Sequence, residues 1–230
     1  MLQTKIIPDI QKFIESNHYL KTCEKNSMDL DENFYIRKAN TQKDFKIAFD
    51  IRWRAYQRFF NKTDELIELN DFHSNATLLI VEDNQNKPVG SMRILDRRHG
   101  KIELDRFVDI KSLIPRSELP CAEGSRLAIP NHPNSKVIRF LLYKAFYLYC
   151  RNNRIDTMLI SVRRITARNY RYFYFKNVGP AGIFNHPHMG NLEYHTYKCN
   201  ISETSKFLKI MNEPLYQFFC GKEHLNINIS

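Results

Sequence analysis

The order of strand-like and helix-like segments constrains the fold of this 230-residue chain more than any other feature. Residues 34–38 alternate apolar and polar side chains, as a half-buried strand does. Thr41 can cap the helical segment that follows, with Asp44 three positions later as an acidic variant of the capping box. Strand-like stretches at 77–82 and 89–95 flank the polar sequence DNQNKP. The first half of the chain therefore predicts a strand, a capped helix and a β-hairpin.

The second half connects its segments differently, because helical stretches separate most of the strand-like ones. A hairpin followed by strand–helix–strand indicates an α/β fold, with a mixed sheet and helices on both faces. The predicted elements are a strand at 125–129, a helix from a cap at Ser135 to about 151, a buried strand at 157–162, an aromatic helix at 165–175, a strand at 192–201 and a helix at 203–219.

The chain divides into a main domain and two additions. Residues 1–33 predict a helical N-terminal arm and a polar linker, residues 34–202 the main domain, and residues 203–230 a C-terminal helix packed on that domain. We expect no signal peptide and no transmembrane segment. The longest apolar stretch, 140–150, contains Lys144 and is too short to cross a bilayer.

Cysteine and histidine usage predicts neither disulfides nor a metal site. The five cysteines are odd in number and widely spaced, and no CxxC pair occurs, so we expect a reducing, cytoplasmic location. His186 and His188 stand close together without an acid or cysteine cluster beside them. We therefore expect no bound metal ion.

Positive charge is concentrated in one segment of a chain whose net charge is +10. Residues 131–180 contain ten lysines and arginines and a single acid, Asp156. Such a surface attracts an acidic or phosphorylated partner. A solvated helix face and nucleic-acid binding are the alternatives, but no recognised nucleic-acid motif accompanies the charge.

Arginines and acids recur at positions that otherwise belong to a core. Arg93 and Arg126 lie in short strand-like runs, and burial of an arginine without a partner is costly. Glu68, Asp71 and Glu123 are acids that can pair with them. Two interpretations stay open at this point: exposed charges on strand faces, or a buried network that joins these side chains.

The ordered set of these residues resembles two related bacterial families of the GNAT superfamily, over about residues 34–185. The sequence FYIRKANTQKDFKIAFDIRWRAY, at 34–56, is similar to the opening of the N-acyl amino acid synthases. The related acyl-homoserine-lactone synthases carry, in order, an arginine followed by an aromatic, two acids, a strand arginine, and Glu-x-x-Arg on the central strand. The matching residues here are Arg52, Tyr56, Glu68, Asp71, Arg93, Glu123 and Arg126.

Two departures favour the amino acid synthases over the lactone synthases. Glu68 stands where the lactone synthases usually have aspartate, and their tryptophan after the aromatic is missing, since Trp53 is the only tryptophan. The resemblance implies a GNAT-like, mostly antiparallel mixed sheet and transfer of a fatty acyl group from a carrier thioester to the α-amine of an amino acid. Lactone synthesis, acetyl-coenzyme A-dependent acetylation of a small molecule and non-catalytic nucleic-acid binding stay open as alternatives.

The resemblance also implies roles for individual residues. Glu123 is the candidate base for the amine, acting through a water molecule. A backbone amide near Leu127, Ala128 or Ile129 is the candidate donor to the thioester oxygen, which gains negative charge in the transition state. Two roles stay open for the three arginines of the set: they bind the substrate carboxylate, or they organise the acids.

The donor side lacks the glycine-rich loop with which acetyltransferases hold the pyrophosphate of coenzyme A. Residues 130–135, PNHPNS, contain no glycine. The resemblance implies an acylated phosphopantetheine on an acyl carrier protein as co-substrate, with coenzyme A open as the alternative carrier, and no permanently bound cofactor. Candidate donor-binding residues outside the central strand are Asn134, Ser135, Arg164, Arg168 and Arg171, the last three spaced to share one helical face.

Overall fold

A computed structural model describes residues 33–57, 67–221 and 226–229, so the predicted N-terminal arm lies outside the described residues except for Asn33. The strands in these residues belong to one sheet. They are β1 (Phe34–Lys38), β2 (Ala76–Asp83), β3 (Pro88–Asp96), β4 (Cys121–Ala128), β5 (Thr157–Arg163), β6 (Lys176–Asn177), β7 (Ile183–His186), β8 (Leu192–Asn200) and β9 (Ile227–Asn228).

Helices of three kinds connect the strands. The α-helices are α1 (Gln42–Tyr56), α2 (Ile110–Leu113), α3 (Ser135–Asn152), α4 (Ile201–Met211) and α5 (Glu213–Tyr216). Residues Gln217–Gly221 form a π-helix. The 3-10 helices are Leu69–Phe72, Glu103–Arg106, Arg116–Glu118, Arg164–Phe173, Pro180–Gly182 and Pro187–Met189.

The sheet is mixed and mostly antiparallel, as predicted. Its strand order is β6–β8–β5–β4–β3–β2–β1–β9, and β7 pairs with β8 off this path. The pairs β4–β5 and β1–β9 are parallel, whereas the other pairs are antiparallel. The single parallel pair inside the sheet, β4–β5, is connected through α3, as parallel neighbours require a crossover.

Helices cover both faces of the sheet, which confirms the predicted layering. Along β2, Leu78 and Ile80 belong to the apolar cluster that α1 covers, while Leu79 and Val81 belong to the cluster that α3 covers. Successive strand residues point to opposite faces, so a continuous apolar run of this kind indicates a strand buried on both sides. Gly124 on β4 lets α3 approach closely, since a Cβ there would lie 2.7 Å from the Phe146 ring.

Two helix boundaries test the sequence analysis directly. The capping box at Thr41 is confirmed: its hydroxyl accepts from the Asp44 amide at 3.2 Å, and the Asp44 carboxylate accepts from the Thr41 amide at 3.0 Å. The predicted cap at Ser135 is wrong. Ser135 is the first residue of α3, and Asn134 is the N-cap without a side-chain capping bond. The predicted aromatic helix at 165–175 is present as a 3-10 helix, Arg164–Phe173.

The single C-terminal helix predicted at 203–219 is in fact three short helices. Helix α4 ends at Met211, and Pro214 lies in the first turn of α5. Proline lacks an amide hydrogen and clashes with the preceding turn, so α4 cannot continue through it. The Asn212 side chain caps α5 by accepting from the Leu215 amide at 3.1 Å. None of the helices within the described residues is long and apolar enough to span a bilayer.

Candidate functional site

Strand β4 changes direction halfway along its length. It pairs with β5 from Cys121 to Gly124. On its other edge, Ser91 of β3 lies opposite Ala128, whereas Arg93 lies opposite Ser125, so β4 contains one residue more than β3 at this point. Arg126 has a φ of +52°, in the left-handed region. This β-bulge bends β4, and β5 continues to Arg163 beyond the last of these pairs.

A cavity of about 210 Å³ lies where β4 and β5 diverge. Both strands contribute to its wall, together with the end of α1, the 3-10 helix Arg164–Phe173 and strands β7 and β8. The wall is mixed in character, with aromatic rings, hydroxyls and charged groups. The lining residues with a part in the chemistry considered for this site are Tyr56, Arg126, Leu127, Arg163, His186 and Tyr194.

Arg93 is the centre of a buried ionic network beneath this cavity. Its guanidinium donates to Glu68 Oε2 at 2.6 Å, to Asp71 Oδ1 at 3.1 Å and to Glu103 Oε2 at 2.7 Å. Its Nε donates to the Ser125 hydroxyl at 3.0 Å. The side chain has no solvent exposure. These contacts confirm a buried network that contains Arg93, Glu68 and Asp71, whereas the predicted membership of Glu123 in it is wrong, because its carboxylate accepts from the Leu104 amide instead.

Two further arginines complete the network. Arg52 donates to Asp71 Oδ2 at 2.7 Å, and Arg126 donates to Glu68 Oε1 at 2.9 Å and to Glu103 Oε1 at 2.6 Å. Burial alone would raise the pKa of Glu68, but the charges of Arg126 and Arg93 lower it. Three guanidinium groups thus face three carboxylates, so the network is electrically balanced. Each of its three arginines contacts at least one of the acids.

Glu123 lies outside this balance and outside the wall of the cavity. Its Oε2 accepts from the Leu104 amide at 3.0 Å, while Oε1 has no hydrogen-bond partner among the described residues. Burial, reinforced by the negative charge of Glu103, raises the pKa of Glu123 to about 8. The shift moves this pKa toward the neutral range, where side chains that exchange protons in catalysis have theirs.

Glu103 and His186 belong to the site, although the sequence analysis assigned them no such role. Glu103 opens a 3-10 helix and is buried, and its Oε1 lies 3.1 Å from His186 Nε2. Burial would raise the pKa of Glu103, but Arg126 and His186 lower it, so this carboxylate is ionised. His186, which we considered as a metal ligand, instead lines the cavity and contacts an acid. It connects the cavity with the carboxylates.

Tyr56 fixes the bulge of β4. Its hydroxyl donates to the carbonyl oxygen of Leu127, and its ring lines the cavity. Burial raises the pKa of Tyr56, so the phenol keeps the proton that this hydrogen bond needs. The tyrosine that the sequence predicted for the site therefore contacts the backbone of the central strand.

The predicted donor-binding residues are dispersed. Leu127 lines the cavity, whereas Ala128 is buried against α1 and Ile129 packs on the opposite core. Asn134 and Ser135 stand at the N-terminus of α3, where the Asn134 amide donates to His132 Nδ1 at 3.1 Å. They do not line the cavity.

The three arginines proposed to share one face lie on the 3-10 helix Arg164–Phe173. The three arginines have α-helical spacing, whereas residues three positions apart align on a 3-10 helix. The single α-helical face that we expected is therefore wrong. Arg164 is exposed, and the side chains of the other two are outside the described part of the structure.

Comparisons with known proteins agree with this architecture. The protein-family model described as N-acyl amino acid synthase FeeM matches residues 48–193, which is more than half of the chain. No curated protein sequence matches the chain. Among solved structures, FeeM, an N-acyl amino acid synthase from uncultured soil microbes, is 15% identical with a TM-score of 0.64, covering 75% of this chain and 93% of that chain.

Two further solved structures share the fold. The AHL synthase LasI is 15% identical with a TM-score of 0.52, covering 73% of this chain and 90% of that chain. An acyl-CoA N-acyltransferase from Pseudomonas aeruginosa is 10% identical with a TM-score of 0.52, covering 72% of this chain and 97% of that chain. The fold is therefore GNAT-like, as the sequence predicted. The chain belongs to the FeeM family of N-acyl amino acid synthases, and it is an N-acyltransferase.

Proposed function

We propose that this protein transfers a fatty acyl group from the thioester of an acyl carrier protein to the α-amine of an amino acid. The observation that carries the proposal is the cavity at the divergence of β4 and β5. The bulge of the central strand forms one side of that cavity, and His186, which contacts the buried acids, forms another. A thioester and an amine bound in this cavity are near the bulge, which offers a backbone amide, and near His186, which offers a proton acceptor.

The bulge of β4 is our candidate for the element that stabilises the thioester carbonyl oxygen. When the amine attacks, the carbonyl oxygen gains negative charge and needs a hydrogen-bond donor. Leu127 is the one member of the predicted donor set 127–129 that lines the cavity, so we assign this role to its amide. Its own carbonyl is occupied by the Tyr56 hydroxyl, which holds this part of the strand in place.

The amine side of the reaction needs a base, because an α-ammonium group cannot attack. Glu123 is our candidate, and its pKa of about 8 suits a base at neutral or slightly alkaline pH. Since Glu123 does not line the cavity, the proton must cross from the substrate to the buried acids. His186 lines the cavity and contacts Glu103, whose charge raises the pKa of Glu123, so we propose these two residues, together with water, as the route.

The donor assignment rests on charge and on the loop before α3. That loop lacks glycine, so it is poorly suited to the pyrophosphate of coenzyme A. An acyl carrier protein is acidic and presents only one phosphate, which suits the basic segment 131–180. One of the ten basic residues, Lys144, is buried and contacts the Phe218 carbonyl. The other nine basic residues of the segment still outnumber its single acid, Asp156.

The test is an assay of the purified protein with carrier-bound and coenzyme A-bound acyl chains, each offered with the twenty amino acids. We expect N-acyl amino acids by mass spectrometry, formed faster from the carrier-bound thioester. Lipid extracts of cells that overproduce the protein should contain the same products. Acyl lactones, or acetylated amines formed only from acetyl-coenzyme A, would contradict the proposal and identify a different acyltransferase reaction. A gel shift with nucleic acid at physiological salt would point to binding instead.

A further inference from the structure

Four arginines surround the candidate site, and one of them differs from the other three. Arg52, Arg93 and Arg126 each donate to at least one carboxylate. Arg163 lines the cavity and is half-buried, but its guanidinium has no ion pair or hydrogen bond within the described residues. Among the described residues it is thus a cavity cation whose charge no acid compensates.

Arg163 lies in the wall of the cavity, at the end of β5 that diverges from β4. It is the last residue of β5, beyond the final pair that β5 makes with β4, and it lies opposite Tyr194 of β8. Burial raises the pKa of Tyr194, while the charges of Arg126 and then Arg163 oppose this rise. The two guanidinium groups therefore both act on the Tyr194 hydroxyl, from inside the same cavity.

The surrounding charges explain why the ligand should be an anion. Arg126 is neutralised by Glu68 and Glu103, and His186 contacts Glu103 as well. A partly desolvated guanidinium is stabilised by an anion, and its planar fork matches a carboxylate in two parallel hydrogen bonds. His186 lies in the same wall, so a group that bears a carboxylate next to an ammonium can meet both residues.

We propose that Arg163 binds the α-carboxylate of the amino acid acceptor and thereby selects amino acids over amines that lack this group. The inference rests on the proposed function and adds to it the residue that recognises the acceptor. The network arginines then have the other of the two roles considered for them, which is to hold the acids. A phosphate of the acyl donor is the competing ligand for Arg163, and the experiment below separates the two.

The experiment compares an amino acid with its own α-carboxamide as acceptors, at a saturating concentration of the acyl donor. The amino acid is the one that wild type acylates fastest among the twenty. We expect Arg163→Ala to lower kcat/KM for the amino acid roughly 10- to 100-fold, as for the loss of a charged hydrogen bond. The carboxamide should react at the same rate with both proteins, within about twofold. Arg163→Lys should retain part of the preference.

Arg116→Ala is the matched control, because Arg116 is exposed and does not line the cavity. It should leave both acceptors unchanged. Equal losses for the amino acid and the carboxamide, or no loss for either, would overturn the inference. A raised KM for the acyl donor with an unchanged acceptor preference would assign Arg163 to the donor phosphate and overturn it too. If wild type acylates no amino acid, the proposed function itself fails, which is a separate result.

Discussion

The two edges of β4 carry opposite kinds of polar chemistry. Along the β3 edge, Arg93 and its acids form a closed network with no solvent exposure at the central guanidinium. Along the β5 edge, the strand opens onto a cavity of about 210 Å³ in which Arg163 has no acid partner in the described structure. The first edge satisfies its charges internally, whereas the second leaves charge available for a ligand.

The difference separates stability from chemistry within one strand. A balanced buried network loses much when one partner is removed, because the remaining charge stays desolvated. An uncompensated charge in a cavity contributes little to folding but favours an ionic substrate. We call the β3 edge, with Arg93 and its acids, the closed edge, and the β5 edge, with the cavity and Arg163, the open edge. Variants at the closed edge should therefore change the free energy of unfolding, and variants at the open edge should change turnover. Glu123 is the informative exception, because it lies near the network but is not part of its charge balance.

The largest effect is expected for Glu123→Gln, which should lower turnover about 10²–10⁴-fold while leaving the fold intact. The amide oxygen can still accept from the Leu104 amide, as Oε2 does now at 3.0 Å. Steady-state kinetics at saturating substrates measure the effect. Turnover within a few-fold of wild type would exclude Glu123 as the base and leave the route through His186 and Glu103.

The pH dependence of stability checks the same residue independently. The pKa of Glu123 is raised from its ordinary value of 4.5 to about 8 in the folded protein. The unfolded chain therefore releases this proton first, and wild type loses stability as pH rises from about 4.5 through 8. Glu123→Gln lacks this loss, so its melting temperature relative to wild type should increase across that window. A constant difference would contradict the raised pKa.

At the closed edge, Arg93→Ala and Asp71→Ala should each lower the free energy of unfolding by about 3–5 kcal/mol. Activity should fall as well, because less of the protein is folded. Either change strands buried charges, since Arg93 joins three carboxylates and Asp71 joins two guanidinium groups. Denaturant titration measures the loss. Arg54→Ala is the control, because its ion pair with Asp50 is exposed and should be worth under about 1 kcal/mol. If both network variants were as stable as wild type, the network would contribute no more to stability than exposed surface charges do.

The closed edge is also the part of the site that the sequence could predict. Arg93 and Arg126 lie in strand-like runs, where an arginine needs a partner, and the family resemblance places Glu-x-x-Arg on the central strand. The capping box at Thr41 is a local signal of the same kind, and it is confirmed. Each of these signals is local to one strand or one helical turn, although the ion pairs themselves join residues 10 to 58 positions apart.

Glu103 of the network and the cavity on the β5 edge were not predictable in this way. Glu103 stands in the polar sequence KIELDR, and it is buried because Ile102 and Leu104 pack into the core on either side. Its contact with His186 spans 83 residues of sequence. The position of Arg163 in a cavity depends on a bulge in another strand. Such long-range pairings, like that of β1 with β9, leave no periodic signal in one sequence.

The smallest expected effect concerns the rim of the open edge, where the carrier protein should dock. Replacing Arg164, Arg168 and Arg171 together by alanine should reduce the preference for carrier-bound over coenzyme A-bound acyl chains several-fold. Charges at a docking surface mainly raise the association rate, and salt screens them, so the variant should also depend less on salt. Replacing exposed Lys43, Lys46 and Lys87 together is the control, because it removes equal charge away from the cavity. A preference that survives in the arginine variant, or falls equally in the lysine variant, would leave only the net charge of the chain to attract a carrier.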